Sequence, residues 1–189
     1  MNGTRRDFVA AGSLGLGGAW IATQMPAVRA AAAHARLAAR EGLPLAALTE
    51  EEAREIEAVA ARIIPTDDTP GAREADVIRF IDRAFETFQA DGLPAAREGL
   101  EDLGARAAAA GATDSRFSQL DETRQDALLR EIEDGGFFGM IRFLTVMGMF
   151  ANPEYGGNRD KIGWELIGFE DRYRWLPPFG WYDAEENRG

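Results

Sequence analysis

The chain has 189 residues, 46% of them apolar, with 21 Lys and Arg against 32 Asp and Glu and a net charge of −11, which fits one globular domain of ordinary size. A surface of that sign repels nucleic-acid phosphates, whose non-specific binding depends on cationic side chains that release counterions. The absence of cysteine excludes disulfides, thiolate zinc sites, iron–sulfur clusters and covalently attached c-type haem, and the single histidine, His34, offers little to a triad or a multi-histidine metal site.

The first thirty residues read as an export address. Arg5 and Arg6 precede Phe8 and an uncharged stretch from Val9 to Ile21, the pattern of a twin-arginine signal. That stretch, 13 residues and rich in glycine, falls short of the roughly 20 apolar residues of a membrane-spanning helix. Val28 and Ala30 are small enough to flank a signal peptidase cut near Ala30. Gly12, Gly15, Gly17 and Gly18 lack the preceding strand that a nucleotide-binding loop requires. With Arg5, Arg6 and Arg29 against Asp7, residues 1–30 carry a net +2, which leaves −13 of the chain's −11 on the remainder. A chain exported already folded, with no cofactor motif of its own, points to another protein as the folded cargo.

Residues 31–48 form an alanine-rich linker or frayed helix, and order is expected near Thr49. Thr49-Glu50-Glu51-Glu52 has the form of a capping box, and Ala53, Ile56, Ala60, Ile63 and Ile64 recur at helical spacing until Pro65 stops the ladder. After the loop Thr66-Asp67-Asp68-Thr69-Pro70-Gly71, a strongly amphipathic second helix carries Val77, Phe80, Ile81, Ala84, Phe85 and Phe88 on one face. Asp91-Gly92-Leu93-Pro94 opens a third, with Leu100, Leu103 and Ala107 inward and Gly111 at its close. Asp121 caps a fourth, with Ala127, Leu128 and Ile132 inward, and Gly135-Gly136 ends it. A fifth, from about Phe137 to Phe150, is apolar nearly all round, which calls for burial on every side by the domain or by a partner. A short helix follows near Ile162 to Ile167. The fold class is all-α: a compact domain of about five helices over residues 49–170, followed by an irregular aromatic tail over residues 171–189.

Aromatic residues cluster late in the chain. Twelve of the 16 beyond residue 30 fall between Phe137 and Tyr182. Trp175, Phe179, Trp181 and Tyr182 surround Pro177-Pro178, a composition that resists helix and exposes large rings unless they lie on something. Aromatic rings carry much of the energy of protein interfaces, so the tail is either a docking arm for a partner or a cover folded back on its own domain. The loop Asn152-Pro153-Glu154-Tyr155-Gly156-Gly157-Asn158 is a tightly specified turn that either redirects the chain or presents a shaped surface. Asn152, Glu154, Tyr155, Asn158 and Trp164, together with Trp175, Phe179, Trp181 and Tyr182, are the candidate partner interface. The carboxylate pairs Asp67/Asp68, Glu154/Asp160 and Glu170/Asp171 could be drawn as an acid and base across a sugar, but a chain with 32 acids produces such pairs by chance. No catalytic, cofactor-binding or metal-ligating residue is assigned, and no calcium loop of the Asp-x-Asp-x-Asp-Gly type is present.

The twin-arginine start, Leu48 to Glu52 leading to Ile63-Ile64-Pro65-Thr66-Asp67-Asp68-Thr69-Pro70-Gly71-Ala72, and Gly148 to Asn158 through Trp164-Glu165-Leu166-Ile167-Gly168-Phe169 together resemble the gluconate 2-dehydrogenase subunit 3 family. The resemblance implies a small subunit without a cofactor. Its partners would be a large FAD-dependent oxidoreductase of the glucose-methanol-choline type and a c-type cytochrome holding haem c. It implies a periplasmic protein that escorts the large subunit through the twin-arginine translocase and supports its folding, any membrane association coming through its partners. The Trp175 to Asp183 segment looks like the ending of a glucoside-oxidising subgroup, while gluconate, glucose and sorbitol stay open as substrates of the partner. An exported carboxylate-based sugar enzyme and a free-standing helical binding protein are the alternatives.

Overall fold

A computed structural model describes residues 44–172 and Arg174. Among the described residues there are helices and turns and no strand: α1 (Glu50–Ile63), α2 (Val77–Glu86), α3 (Leu93–Ala109), α4 (Glu122–Ile132), α5 (Gly136–Phe150) and the short α6 (Ile162–Leu166). The all-α reading is correct, with five main helices and a sixth of five residues. No described helix is long and apolar enough to cross a membrane.

The boundaries follow local chemistry. The Thr49 hydroxyl accepts the Glu52 amide at 3.1 Å while the Glu52 carboxylate accepts the Thr49 amide at 2.8 Å, a complete capping box that satisfies two amides with no partner inside the helix. Three glutamates in the first turn complement the helix dipole. α1 ends one residue before Ile64, because Pro65 cannot continue the ladder. The Asp121 carboxylate caps α4 through the Arg124 amide at 3.0 Å.

α2 is the centre of the domain. Its periodicity predicts one inward face, yet Ile78, Asp82 and Arg83 are buried along with Val77, Phe80, Ile81, Ala84 and Phe85. α5 crosses it closely at Gly148, where an added Cβ would lie 3.0 Å from Val77 and 3.1 Å from Phe80. α1 lies against both helices, burying Ile56 and Val59 completely. α2 stops at Glu86, short of Phe88, whose ring still meets Phe80 with centroids 6.3 Å apart.

One sequence expectation is corrected by the packing, and one of the two alternatives for α5 is removed. α4 turns Leu128, Leu129 and Gln125 inward and leaves Ala127 exposed; the Gln125 amide donates to the Phe117 carbonyl at 3.1 Å, which lets a polar side chain take an inner position. α5 is not covered all round by the described domain. Ile141, Leu144, Thr145, Gly148 and Met149 are buried, whereas Phe143 is 52% and Val146 44% exposed.

The described residues just ahead of Thr49 are held to the core. The amides of Ala46, Ala47 and Leu48 all donate to the carboxylate of Asp82, at 2.9 to 3.1 Å. Asp82 is 0% exposed, and a buried carboxylate needs such donors to replace its lost water. Arg83 lies 3.9 Å from the same carboxylate and bonds Glu86 at 2.9 Å. One side chain in the middle of α2 thus holds the chain leading into α1.

Candidate partner-docking site

The two most specific sequence blocks converge at the N-terminal end of α2. In the first, over residues 64–76, the Glu74 carboxylate accepts both the Thr66 hydroxyl at 2.7 Å and the Gly71 amide at 2.9 Å. These bonds hold the carboxyl of Glu74 below the usual range, the Thr66 hydroxyl contributing most. Asp67 accepts the amide and the hydroxyl of Thr69, each at 2.9 Å, and the amide holds its carboxyl low as well. The Ala72 amide closes the loop on the Ile64 carbonyl at 2.9 Å. Asp67 and Asp68 are therefore parts of a self-bonded exposed turn, with Asp67 occupied by Thr69.

The second block, over residues 151–163, folds onto the same end. The Arg159 amide donates to the Ala75 carbonyl at 3.0 Å and its guanidinium pairs with Asp76. Burial pushes the Asp76 carboxyl up, against the pull of Arg159 and Arg79. Gly156 takes φ of +108°, a conformation in which L side chains are strained. Gly157 is needed for a different reason: a Cβ there would sit 2.2 Å from the Gly148 carbonyl oxygen of α5. At Gly163 it would sit 1.9 Å from the Met149 oxygen. The loop is laid so close to the last turns of α5 that only hydrogen fits.

Asn158 holds that loop shut. Its amide nitrogen donates to the Ala151 carbonyl at 2.9 Å, and its oxygen accepts the Gly163 amide at 2.8 Å. It is 0% exposed, so its side chain does not belong to a surface that a partner would meet; the candidate interface is corrected at this residue. Both polar ends of the amide are satisfied internally, which is what permits its burial.

The other candidates lie nearer the surface. Asn152 is exposed and its oxygen accepts the Glu154 amide at 3.1 Å. Glu154 is exposed, and Tyr155 is half-buried against the core. Trp164 is half-buried: its indole N–H donates to the Phe150 carbonyl at 2.8 Å and its ring meets Phe169 edge-on, centroids 5.1 Å apart. Arg5, Arg6 and Phe8, and Trp175, Phe179, Trp181 and Tyr182, lie outside the described residues.

Periodicity left one surface unread. Phe143 and Val146 on the outer side of α5, Leu166 at the end of α6, and Ile167 and Phe169 just after it are large apolar side chains between 40% and 60% exposed. Trp164 links the two groups through Phe150, at the C-terminal end of α5. The signal was in the sequence: α5 is apolar on more faces than its contacts with α1 and α2 can bury.

Elsewhere the polar surface is internally engaged. An open groove of about 630 Å³ between α1 and α3 is lined by Glu51, Glu52, Glu55, Glu101, Arg97 and Arg116, among others. Arg97 there bonds Glu52 at 2.7 Å, Arg116 pairs with Glu51 at 3.2 Å, and Glu55 accepts the hydroxyl and amide of Ser118. Among the described residues no group of three or more His, Cys, Asp or Glu is placed to hold a metal ion.

Fold and surface together define a small helical domain with a tightly clasped loop end and an apolar face running down α5 onto α6. The chain belongs to the gluconate 2-dehydrogenase subunit 3 family, whose model matches residues 50–171. That span takes in both loop blocks and the exposed face of α5, and the family name makes the chain a subunit of a dehydrogenase complex. No curated protein and no solved structure matches the chain.

Proposed function

We propose that this chain is a non-catalytic accessory subunit of a periplasmic, FAD-dependent sugar or alcohol dehydrogenase, and that it escorts the large flavoprotein through the twin-arginine pathway and stabilises its fold. The observation that carries the reading is the exposed apolar face of Phe143 and Val146 on a chain whose family is a dehydrogenase subunit. Solvent-exposed rings beside a well-packed core suit an interface whose centre is apolar and aromatic. The flavin is assigned to the large subunit, as the resemblance to the family implies. Haem c is assigned to a cytochrome partner, since its covalent attachment needs cysteine and this chain has none. The Arg5-Arg6 signal gives a reason for joining the two: one address then serves both chains, provided they fold together before export.

The test is co-purification. The chain, tagged, is expressed with and without a large glucose-methanol-choline type flavoprotein from the same genome, and the eluate is examined for a flavin spectrum and dye-linked dehydrogenase activity. A yellow, active complex supports the subunit role. A colourless, monodisperse chain purified in the presence of the flavoprotein overturns it.

A further inference from the structure

The exposed face of α5 carries one charge. Arg142 is the only charged residue between Gly136 and Phe150. It is exposed and lies one helical turn before Val146, so the two side chains stand on the same strip of surface. Gly139 continues that strip toward the start of the helix, and a Cβ there would meet nothing within 4 Å. Whatever covers Phe143 and Val146 therefore also takes water from the guanidinium of Arg142, and a cation removed from water needs an opposite charge in its place.

The domain itself offers Arg142 no such partner. Arg142 borders a groove of about 380 Å³ between α4 and α5, whose lining includes Asp126, Arg130, Glu133 and Phe138 with Arg62 from the end of α1. Two of those charges are committed to each other: Arg62 holds Asp126 through bonds of 2.7 and 3.1 Å. Arg130 acts on Asp126 only through space, and neither Arg130 nor Arg142 makes an ion pair among the described residues. Two exposed guanidinium groups thus share one groove with Glu133 as their only uncommitted counter-charge, on a chain whose net charge is −11.

Charge also selects the occupant. A two-fold contact between copies of this chain, centred on Phe143, would set Arg142 against the Arg142 of the second copy, with no acid on either α5 to separate them. An acidic partner surface meets the opposite condition, because the planar guanidinium pairs with carboxylates two bonds at a time.

We infer that the apolar contact on α5 is bordered by a cationic edge, Arg130 and Arg142, which pairs with carboxylate side chains on the large subunit. The inference rests on the subunit reading above and adds the chemistry of the opposing surface: apolar side chains over Phe143 and Val146, with acidic residues beside them at the α4–α5 groove. The edge fixes where along α5 the partner sits, since apolar contact alone is indifferent to sliding.

The test is a competition for the large subunit. The native chain and a variant, carrying different tags, are co-expressed in equal amounts with a large glucose-methanol-choline type flavoprotein from the same genome, and the ratio bound to the purified flavoprotein is read. Arg130→Gln with Arg142→Gln is expected to be outcompeted roughly tenfold or more. Arg130→Lys with Arg142→Lys, which keeps both charges, should stay within about threefold of the native chain. So should Arg54→Gln with Arg73→Gln, which removes two exposed charges from α1 and the loop before α2. A Gln pair at the edge that competes equally overturns the inference; so does a Lys pair, or the remote pair, excluded as strongly as the edge Gln pair. Phe143→Asp in the same competition separates the two claims: its exclusion beside an unaffected Gln pair leaves the subunit reading standing and removes only the charged edge. If the native chain binds no flavoprotein, both fall. An isolated chain that dimerises until Phe143→Asp is introduced gives the face to a second copy and also overturns the inference.

Discussion

The clasped end of the domain and the outer face of α5 are built on opposite plans. Around Asn158, Glu74 and Asp76, polar side chains and backbone groups bond one another, and glycines at 157 and 163 admit backbone contacts that any other residue would block. On α5, apolar side chains face outward with nothing among the described residues over them. The first plan produces sequence blocks that are easily recognised, because each residue type answers a geometric demand. The second leaves only an excess of hydrophobic residues. What is most recognisable in this sequence is therefore architecture, and the surface suited to a partner is the part with the least distinctive spelling.

That contrast can be broken most directly at Gly163. Gly163→Ala forces a Cβ into the Met149 carbonyl and is expected to cost upward of about 3 kcal/mol, read as a loss of urea midpoint; a change below about 1 kcal/mol would show that the loop does not need its close approach. Asp82→Ala should cost about 3 kcal/mol, since three amides lose a buried acceptor at once. Amide exchange at Ala46 to Leu48, measured in the same variant, should rise far more than exchange in α5. For Asn158→Ala the expectation is about 2 kcal/mol, from two lost hydrogen bonds and a left-handed backbone better tolerated by Asn, followed by thermal unfolding.

The outer face should behave the other way. Phe143→Asp and Val146→Asp are exposed changes expected to alter stability by less than about 0.5 kcal/mol while weakening capture of the flavoprotein at least tenfold. Intact co-purification with both variants would move the contact elsewhere. The smallest effect concerns pH. Asp126 is held below the usual carboxylate range chiefly by its bond to Arg62 at 2.7 Å. A depressed carboxylate contributes its stability fully above its unfolded value, about pH 4, and loses it as pH falls through the lower folded value. The deficit of Arg62→Met against the native chain should accordingly be constant near neutrality and shrink below about pH 4, in paired denaturant titrations.

Helix starts and stops were legible because they depend on neighbours in sequence. Thr49 with Glu52, Pro65, and Asp121 with Arg124 each act within a few residues. Asp82 was not legible, because its partners lie 34 to 36 residues away and no periodicity encodes a side chain reaching backward to a strand of amides. Asn158 was recognised as special but placed on the wrong side of the surface: a loop asparagine that bonds two backbone groups looks the same in sequence whether it is wet or dry. In α4, taking Ala127 for an inner residue in place of Leu129 is an error of helical phase, made possible by Gln125 finding a carbonyl inside the core. At the candidate site, the two loop blocks were visible, their meeting at Ala75 and Asp76 was not, and the aromatic tail lies outside the described residues.

The hold of Asp82 on Ala46, Ala47 and Leu48 has a mechanical consequence. A pull applied to the chain at Ala46 reaches the middle of the central helix before it reaches the first turn of α1, so the Ala46–Leu48 segment and the core bear load in series. The grip joins parts of the chain that come together only when α1 and α2 have docked. Tension applied at Ala46 is therefore resisted by a finished domain and not by an unfinished one, and a single-molecule pulling trace should show that early resistance vanish in Asp82→Ala.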